Sequence, residues 1–550
     1  MSLLDYLTIL AFAVGVLLAG LAFSGRQSDI KSFFSAGGAI PWGISGLSLF
    51  MGFFSAGTFV VWGAIAYSHG LVAITIQATM CVAGFIVGAL IAPRWQKTGA
   101  LTAAEYITGR FGQKTQKSYT YLFLLVSLFT TGSFLYPIAR IVQVSTGFPL
   151  EACILALGGF CILYVALGGL WSVVITDVLQ FVVLTVAVLI TVPLSFGKIG
   201  GVQALFERAP EGFFALTDGS YPWAFMIAFG IYNAVFIGGN WAYVQRYTSV
   251  RTPRDAKKVG YLFGSLYMIC PILWMLPPMI CRIYDGGLTG MEDEGAYLLM
   301  CREALPNGIL GMMLGGMIFA TASSLNATLN ISAGVFTNDI FRNLHPKSSE
   351  RTLMIVAKLS TLVFGLLAVF VALMVPKMGG IVNVVISVAA LTGVPLYLPI
   401  VWSLFSKYQT CGSILFATIA SLAVNALLKF VMPGFGFALD RTWEMVVGVA
   451  VPVLLLLVYE AYARLFAGED ARYAAYERAM AGRKAAKADN KAGNRFGIKV
   501  IGIGTLTGGA MVTVLGAIAS HDGLLIASYG VALLVIGAAL LKLSKTFKEA

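Results

Sequence analysis

The stretch LFMGFFSAGTFVVWGAIAYSHG, residues 49–70, is apolar enough to cross a bilayer, yet Gly52, Ser55 and Gly57 crowd its middle. A second such stretch, FMIAFGIYNAVFIGGNWAYVQRYT, residues 225–248, carries Gly230, Asn233 and the run Gly238, Gly239, Asn240. In hydrocarbon, a backbone carbonyl without an intrahelical partner is costly unless it lines a cavity or holds an ion, so interrupted spans in corresponding places of two halves mark a transport site. Each glycine taken alone fits close helix packing equally well. As a pair, the stretches lie five apolar spans apart, the spacing that two inverted units of five helices require.

The rest of the chain supports a membrane setting. Of 550 residues, 58% are hydrophobic and 11% charged, and the mean hydropathy is +0.85. A hydrocarbon core takes about 20 apolar residues per helix, and about fifteen such stretches recur between Leu3 and Leu543. The expected fold is an all-α polytopic membrane protein. No Lys or Arg precedes the first span, which therefore reads as a membrane helix rather than a cleaved signal, with the N-terminus outside and the C-terminus inside. With alternating spans, most of the 37 Lys and Arg residues then fall on the inner side, as the positive-inside rule requires. That distribution accounts for the net charge of +12 without nucleic acid. The expected location is the inner or plasma membrane, with the bilayer as the main partner and no required protein partner. The basic, Ala-rich segment 467–497 reads as a cytoplasmic linker near anionic headgroups.

Several chemistries find no support. There is no Walker A motif and no GxSxG, and the three histidines, His69, His345 and His521, are scattered toward span ends. The seven cysteines show no CxxC or Cys/His metal spacing. Cys281 and Cys301 both fall near an outer loop, where a disulfide is an open question. An enzyme or a primary pump is not expected, and no organic cofactor is implied. Secondary transport, a channel or a solute sensor remain.

The segment GGMIFATASSLNATLNISAG, residues 315–334, is long enough to span, yet it carries hydroxyls and amides from Thr321 to Ser332. Ala320, Ser323 and Ser324 are spaced i, i+3, i+4 and share one helix face. Neutral oxygens of this kind suit a sodium ion that must be bound and released inside a membrane.

Three stretches then match one family. GGLWSVVITDVLQFVVL (168–184), WAYVQRYTSVRTPRDAKKV (241–259) and the polar helix with its exit FTNDIF (336–341) resemble the sodium:solute symporter family, over about residues 1–466. The resemblance implies a LeuT-like 5+5 inverted-repeat core. In that scheme residues 1–41 form a leading helix and loop, 42–196 the first repeat, 197–221 an extracellular loop and 222–404 the second repeat. Two peripheral helices (405–466), the linker (467–497) and a C-terminal hairpin (498–550) follow.

It also implies sodium as coupling ion, held by the carbonyls of Met51, Phe54 and Ala320 and the hydroxyls of Ser323 and Ser324. A second ion site would involve Asp177, but Asn326 and Ala327 stand where further hydroxyls are needed, so one sodium is favoured. The family's solute positions fall on Phe53, Ser55, Thr58, Gln77, Asn233 and Tyr267, with Phe53, Phe54, Tyr232 and Phe236 as walls or gates. Thr130 stands where the sialic acid branch has a carboxylate-binding Arg. The resulting expectation is a sodium-coupled symporter of a small polar solute, a sugar or polyol first, an organic acid such as sialic acid or an amino acid second. A sensor or a sodium channel is the competing class.

Overall fold

The computed structural model describes residues 1–24, 40–100, 102–165, 170–481, 490–519 and 521–546. Among them every regular element is helical. The two glycine-interrupted stretches are indeed broken. Helix α1 (Leu3–Ser24) is followed by α2 (Trp42–Phe53) and α3 (Ala56–His69), which meet at 56°. Helices α4 (Val72–Ile86), α5 (Ala103–Phe111), α6 (Gln113–Thr146), α7 (Leu150–Val165) and α8 (Leu170–Ile199) follow. The second broken span, α9 (Trp223–Gly239) and α10 (Trp241–Thr248), is bent by 58°. The second bent span is the fifth after the first, as the sequence pattern requires. Among the described residues ten helices are long and apolar enough to cross a bilayer, or twelve if each bent pair counts as one span. Shorter apolar helices lie at Leu3–Gly15, Leu150–Ile162 and Ile309–Ala322.

The second half continues with α11 (Pro253–Tyr284), α12 (Ile309–Val335), α13 (Glu350–Met374), α14 (Ile381–Val388) and α15 (Val394–Ser403). FTNDIF, residues 336–341, forms a π-helical turn at the end of α12. Helix α12 begins at Gly308, which has no side chain to cap it. The deficit is met from α1, where buried Asp5 accepts the N–H groups of Gly308 (2.6 Å) and Gly311 (3.0 Å). A carboxylate at a helix N-terminus also complements the helix dipole, so the leading helix fixes the N-terminal end of the polar helix.

Helix α4, continued by the π-helical turn Val87–Ile91, crosses α11 at glycines. A Cβ on Gly260 would lie 2.5 Å from the Gly88 Cα, so only hydrogen fits.

After α16 (Cys411–Ala426) and α17 (Arg441–Tyr462), the chain folds back along the face that carries the basic loops as α18 (Ala471–Ala481). Its Tyr476 ring packs edge-on to Tyr106 of α5. The remainder of the basic segment, 482–489, lies outside the described residues. Cys281 and Cys301 are buried free thiols.

Helices α19 (Asn490–Ile518) and α20 (Gly523–Thr546) form the terminal hairpin. Glycine recurs there at every seventh position, 502, 509, 516, 523, 530 and 537, and these residues face one another. A Cβ on Gly516 would approach the Ala527 backbone N to 2.4 Å, and one on Gly530 would approach Thr513 Oγ1 to 2.3 Å. With no hydrophobic driving force between helices in lipid, backbone contact of this kind supplies the association. Gly516→Leu is expected to prise the hairpin apart at a cost near ~3 kcal/mol, the upper end for overpacking. Sodium affinity should survive the change. A thermal midpoint equal to the parent's would show that the glycine seam is not tight.

Candidate functional site

The two bends are built from local capping. At the first, Phe54 and Ser55 are extended. Ser55 accepts the Gly57 N–H at 3.2 Å, while Thr58 Oγ1 accepts the Ser55 N–H at 3.3 Å and donates to the Phe53 carbonyl at 3.1 Å. At the second bend, Asn240 caps α10 by accepting the Ala242 N–H at 3.0 Å. Carbonyls freed there are met by aromatic donors: Trp95 Nε1 to Gly238 (2.7 Å) and Tyr247 OH to Ile237 (3.0 Å).

The first bend differs in a way that matters for an ion. Gly52's carbonyl accepts from Tyr243 OH at 3.4 Å and Phe53's from Thr58, but among the described residues no hydrogen-bond donor meets the carbonyls of Met51 or Phe54. Both residues are buried. Helix α12 is pinned to this point, because Thr321 Oγ1 accepts the N–H of Ala56, the first residue of α3, at 2.9 Å. The turn of α12 that holds Thr321 also holds Ala320 and Ser324, both buried. Ser324 donates its proton to the Ala320 carbonyl at 3.2 Å, which leaves its lone pairs free for a cation. The side chains of Ser323 and Asn326 lie outside the described residues. Unpaired carbonyls on α2 and hydroxyls on α12 are a donor set for a hard monovalent cation. Thr321 was not singled out as a functional residue by sequence, since nothing in a polar helix marks which hydroxyl will reach the neighbouring break.

Beside the bends lies a cavity of about 970 Å³ of free volume, its open mouth included. Phe53, Ser55, Thr58 and Asn233 line it, together with Tyr232 and Phe236. Helix α6 contributes Thr130 and Ser133, and the segment after α14 contributes Thr392. Among the described residues no Asp, Glu, Lys, Arg or His lines it. Asn233 donates through Nδ2 to Thr79 Oγ1 at 2.9 Å, and its Oδ1 is buried without a partner among the described residues.

The structure does not bring every expected solute residue to this cavity. Gln77 is fully buried one helical turn before Met80, which does line it, and both Gln77 amide atoms lack partners among the described residues. Tyr267 packs among aromatic rings instead, 4.7 Å from Phe263 and 5.3 Å from Phe50 between centroids. Phe54 stacks on Trp274 at 4.1 Å and is likewise absent from the lining.

A second cavity of about 670 Å³ shares Gly52, Thr130, Phe134, Phe236, Tyr243 and Tyr397 with the first and adds Ser324, Thr328 and Arg246. The shared rings form the partition between the two. Asp177 is buried nearby and accepts from Ser48 Oγ at 2.6 Å, which in turn accepts from Arg246 Nε at 3.3 Å. This carboxylate therefore has a basic neighbour across a serine.

The family model described as "Sodium:solute symporter family" matches residues 33–420. A sodium/glucose cotransporter of Vibrio parahaemolyticus is 27% identical over 473 residues, 78% of this chain and 86% of that protein. The sodium/sialic acid symporter of Proteus mirabilis is 26% identical, over 76% of this chain and 88% of its own length. Among solved structures, a substrate-bound, outward-open sodium-coupled sialic acid symporter superposes with a TM-score of 0.72 at 23% identity, covering 85% of this chain and 99% of that one.

Proposed function

The chain belongs to the sodium:solute symporter family, and from that premise we propose that it imports one small neutral organic solute with one sodium ion by alternating access. It is a multi-pass membrane transporter with a LeuT-like fold, not an enzyme. The observation that carries the solute reading is the uncharged cavity that both bent spans line, beside the point where Thr321 pins α12 to the first break.

In this reading sodium settles between the Met51, Phe54 and Ala320 carbonyls and the Ser323 and Ser324 hydroxyls. It draws α2 and α12 together and orders the neighbouring Ser55, Thr58 and Asn233. Coupling of this kind is reciprocal, so solute tightens sodium by the factor by which sodium tightens solute. A membrane potential of about 100 mV contributes roughly 2.3 kcal/mol per charge moved inward. One sodium therefore supports substantial accumulation. The relatives' names favour a sugar or polyol as cargo; the uncharged Thr130 speaks against an anion such as sialic acid.

The test is uptake into proteoliposomes under an inward sodium gradient. Saturable, solute-dependent sodium flux is expected; sodium current without solute would make the protein a channel and sink the reading. Asn233→Ala should weaken solute affinity about tenfold, the loss of one buried hydrogen bond, and leave sodium affinity within twofold or so. Equal losses of both would place Asn233 in the scaffold instead.

A further inference from the structure

Four consecutive carbonyls run through the first bend, and their partners differ. Those of Met51 and Phe54 are the pair left to the ion. The two between them are held from opposite sides. Phe53's accepts the Thr58 hydroxyl of α3 at 3.1 Å, and Gly52's accepts the Tyr243 hydroxyl of α10 at 3.4 Å. An ion that fixes the outer pair therefore also fixes the peptide unit on which Tyr243 rests.

Tyr243 grips this point with its ring as well. The ring stacks on Phe53 with centroids 4.4 Å apart and planes 27° from parallel. A Cβ on Gly52 would lie 3.1 Å from Tyr243 Cε1, so glycine there lets the ring come close. Further along, α2 and α10 are joined rung by rung. Ser48 Oγ accepts from Arg246 Nε at 3.3 Å, Ser45 Oγ donates to the Arg246 carbonyl at 2.8 Å, and the Ile40 N–H donates to the Ser249 carbonyl at 3.1 Å. Ser45, Ser48 and Gly52 are spaced i, i+3, i+7 and share one face of α2. The two inner half-helices thus run side by side in opposite directions, and Tyr243 is the rung at the break itself.

The same ring stands in the partition. Tyr243, Phe236 and Tyr397 line both cavities. Phe236 meets the edge of Tyr243 at 5.7 Å and of Tyr397 at 5.6 Å, and Tyr397 OH accepts from Nδ2 of Asn240, the cap of the second bend, at 3.1 Å. A solute in the first cavity has to pass these rings to reach the second. Ser324 already lines the second cavity, so the ion has a way out that avoids them.

We propose that Tyr243 is the positioning residue through which sodium at the first bend keeps the aromatic partition shut. With the ion on the Met51 and Phe54 carbonyls, the Gly52 oxygen is presented to the Tyr243 hydroxyl and the ring stays across the path. Once the ion leaves through the second cavity, the Gly52 peptide relaxes, this rung lets go and the solute follows. An ion shifts such an equilibrium only through contacts that differ between the two states, and this contact is one peptide unit from its ligands. The inference rests on the sodium site of the symport reading and adds to it the element that ties solute release to the ion.

The experiment reads access to the first cavity from the inner face. Val388→Cys is the reporter, because Val388 lines the first cavity and not the second. A charged, membrane-impermeant methanethiosulfonate reagent is added to inside-out membrane vesicles holding the full chain, in sodium and in potassium. The chain without the reporter supplies the background from its seven native cysteines. Sodium is expected to slow modification of the reporter about fivefold, the change in population that one hydrogen bond is worth. Tyr243→Phe keeps the ring and removes the hydroxyl; it should lose most of that protection, while the purified variant keeps its sodium-induced rise in thermal midpoint. Should the phenylalanine variant fail to fold, Gly52→Ala, which pushes the ring off the bend and leaves the hydroxyl intact, decides by the same two readouts. Ser45→Ala, a rung away from the break, should speed modification equally in both cations. Protection equal to the parent's without the Tyr243 hydroxyl overturns the inference. Loss of the thermal rise together with the protection also overturns it, by making Tyr243 part of the ion site. A thermal rise with no protection in the reporter chain sinks the inference and leaves the sodium site standing, whereas no sodium response in either readout would remove the sodium reading itself.

Discussion

Replacing Ser324 with alanine raises the sodium concentration needed for half-maximal uptake by between about tenfold and a hundredfold, because a hydroxyl bound to a charged partner contributes about 1.5–3 kcal/mol. The hydroxyl sits on the turn of α12 that Thr321 fixes to the first bend, and its own proton is directed to the Ala320 carbonyl. Loss of the oxygen therefore removes one acceptor from the ion, and the Ala320 carbonyl that it releases from the hydrogen bond is already counted among the ion's ligands. The protein's thermal midpoint in potassium should be unchanged, since the back-bond within the helix contributes little. In sodium the variant should lose the stabilisation that ion binding confers on the folded state. The clean discriminator is Thr321→Val, which removes the cap on Ala56 N–H: it should lower stability in both cations, whereas Ser324→Ala acts in sodium alone. Parent-like sodium dependence in the Ser324 variant would move the ion elsewhere.

Much of this architecture is legible in the sequence, for reasons that can be named. The bends at Phe54–Ser55 and at Asn240 are readable because glycine and small polar residues in a 20-residue apolar run have few uses in lipid. The same logic singles out the i, i+3, i+4 face of Ala320, Ser323 and Ser324. The aromatic wall of the cavity is harder to see. Phe229, Tyr232 and Phe236 follow helical spacing, but their neighbours are also apolar, so no amphipathic contrast reveals that one face looks into a cavity. Gln77 and Tyr267 show the limit of carrying positions over from a family. Each lies on a helix beside the site, but a rotation of one residue decides whether a side chain enters the cavity or packs behind it. Heptad glycine spacing in α19 and α20 is explicit in the sequence, although only the pairing of the two helices tells that the glycines face each other.

The contact least accessible to sequence reading joins Arg110 and Asp470, 360 positions apart, and breaking it carries the largest expected cost in stability. Arg110, on α5, has a fully buried side chain, and that of Asp470 is 11% exposed. One guanidinium nitrogen meets Asp470, the other donates to the Gln409 carbonyl at 3.0 Å, and Nε has no partner among the described residues. The guanidinium also lies over the ring of Tyr473 at 5.0 Å. Around it, Asp470 N–H bonds the Lys407 carbonyl at 3.1 Å and Arg472 bonds the Phe111 carbonyl at 2.5 Å. This strap thus clamps α5 to the turn between α15 and α16. Asp470→Ala leaves a buried cation uncompensated, which costs about 3–5 kcal/mol. The thermal midpoint should fall, and trypsin should cut the released 471–481 segment, which contains Arg472 and Arg478. The double variant Arg110→Met, Asp470→Leu should regain most of the loss, because apolar groups of similar volume replace a buried pair at little net cost. Since α5 leads directly into α6, whose Val126, Thr130 and Phe134 line the solute cavity, the single variant should also change transport rate where the double variant does not. An unchanged midpoint and unchanged proteolysis in Asp470→Ala would mean that the strap is held by its aromatic contacts and that the ion pair adds nothing.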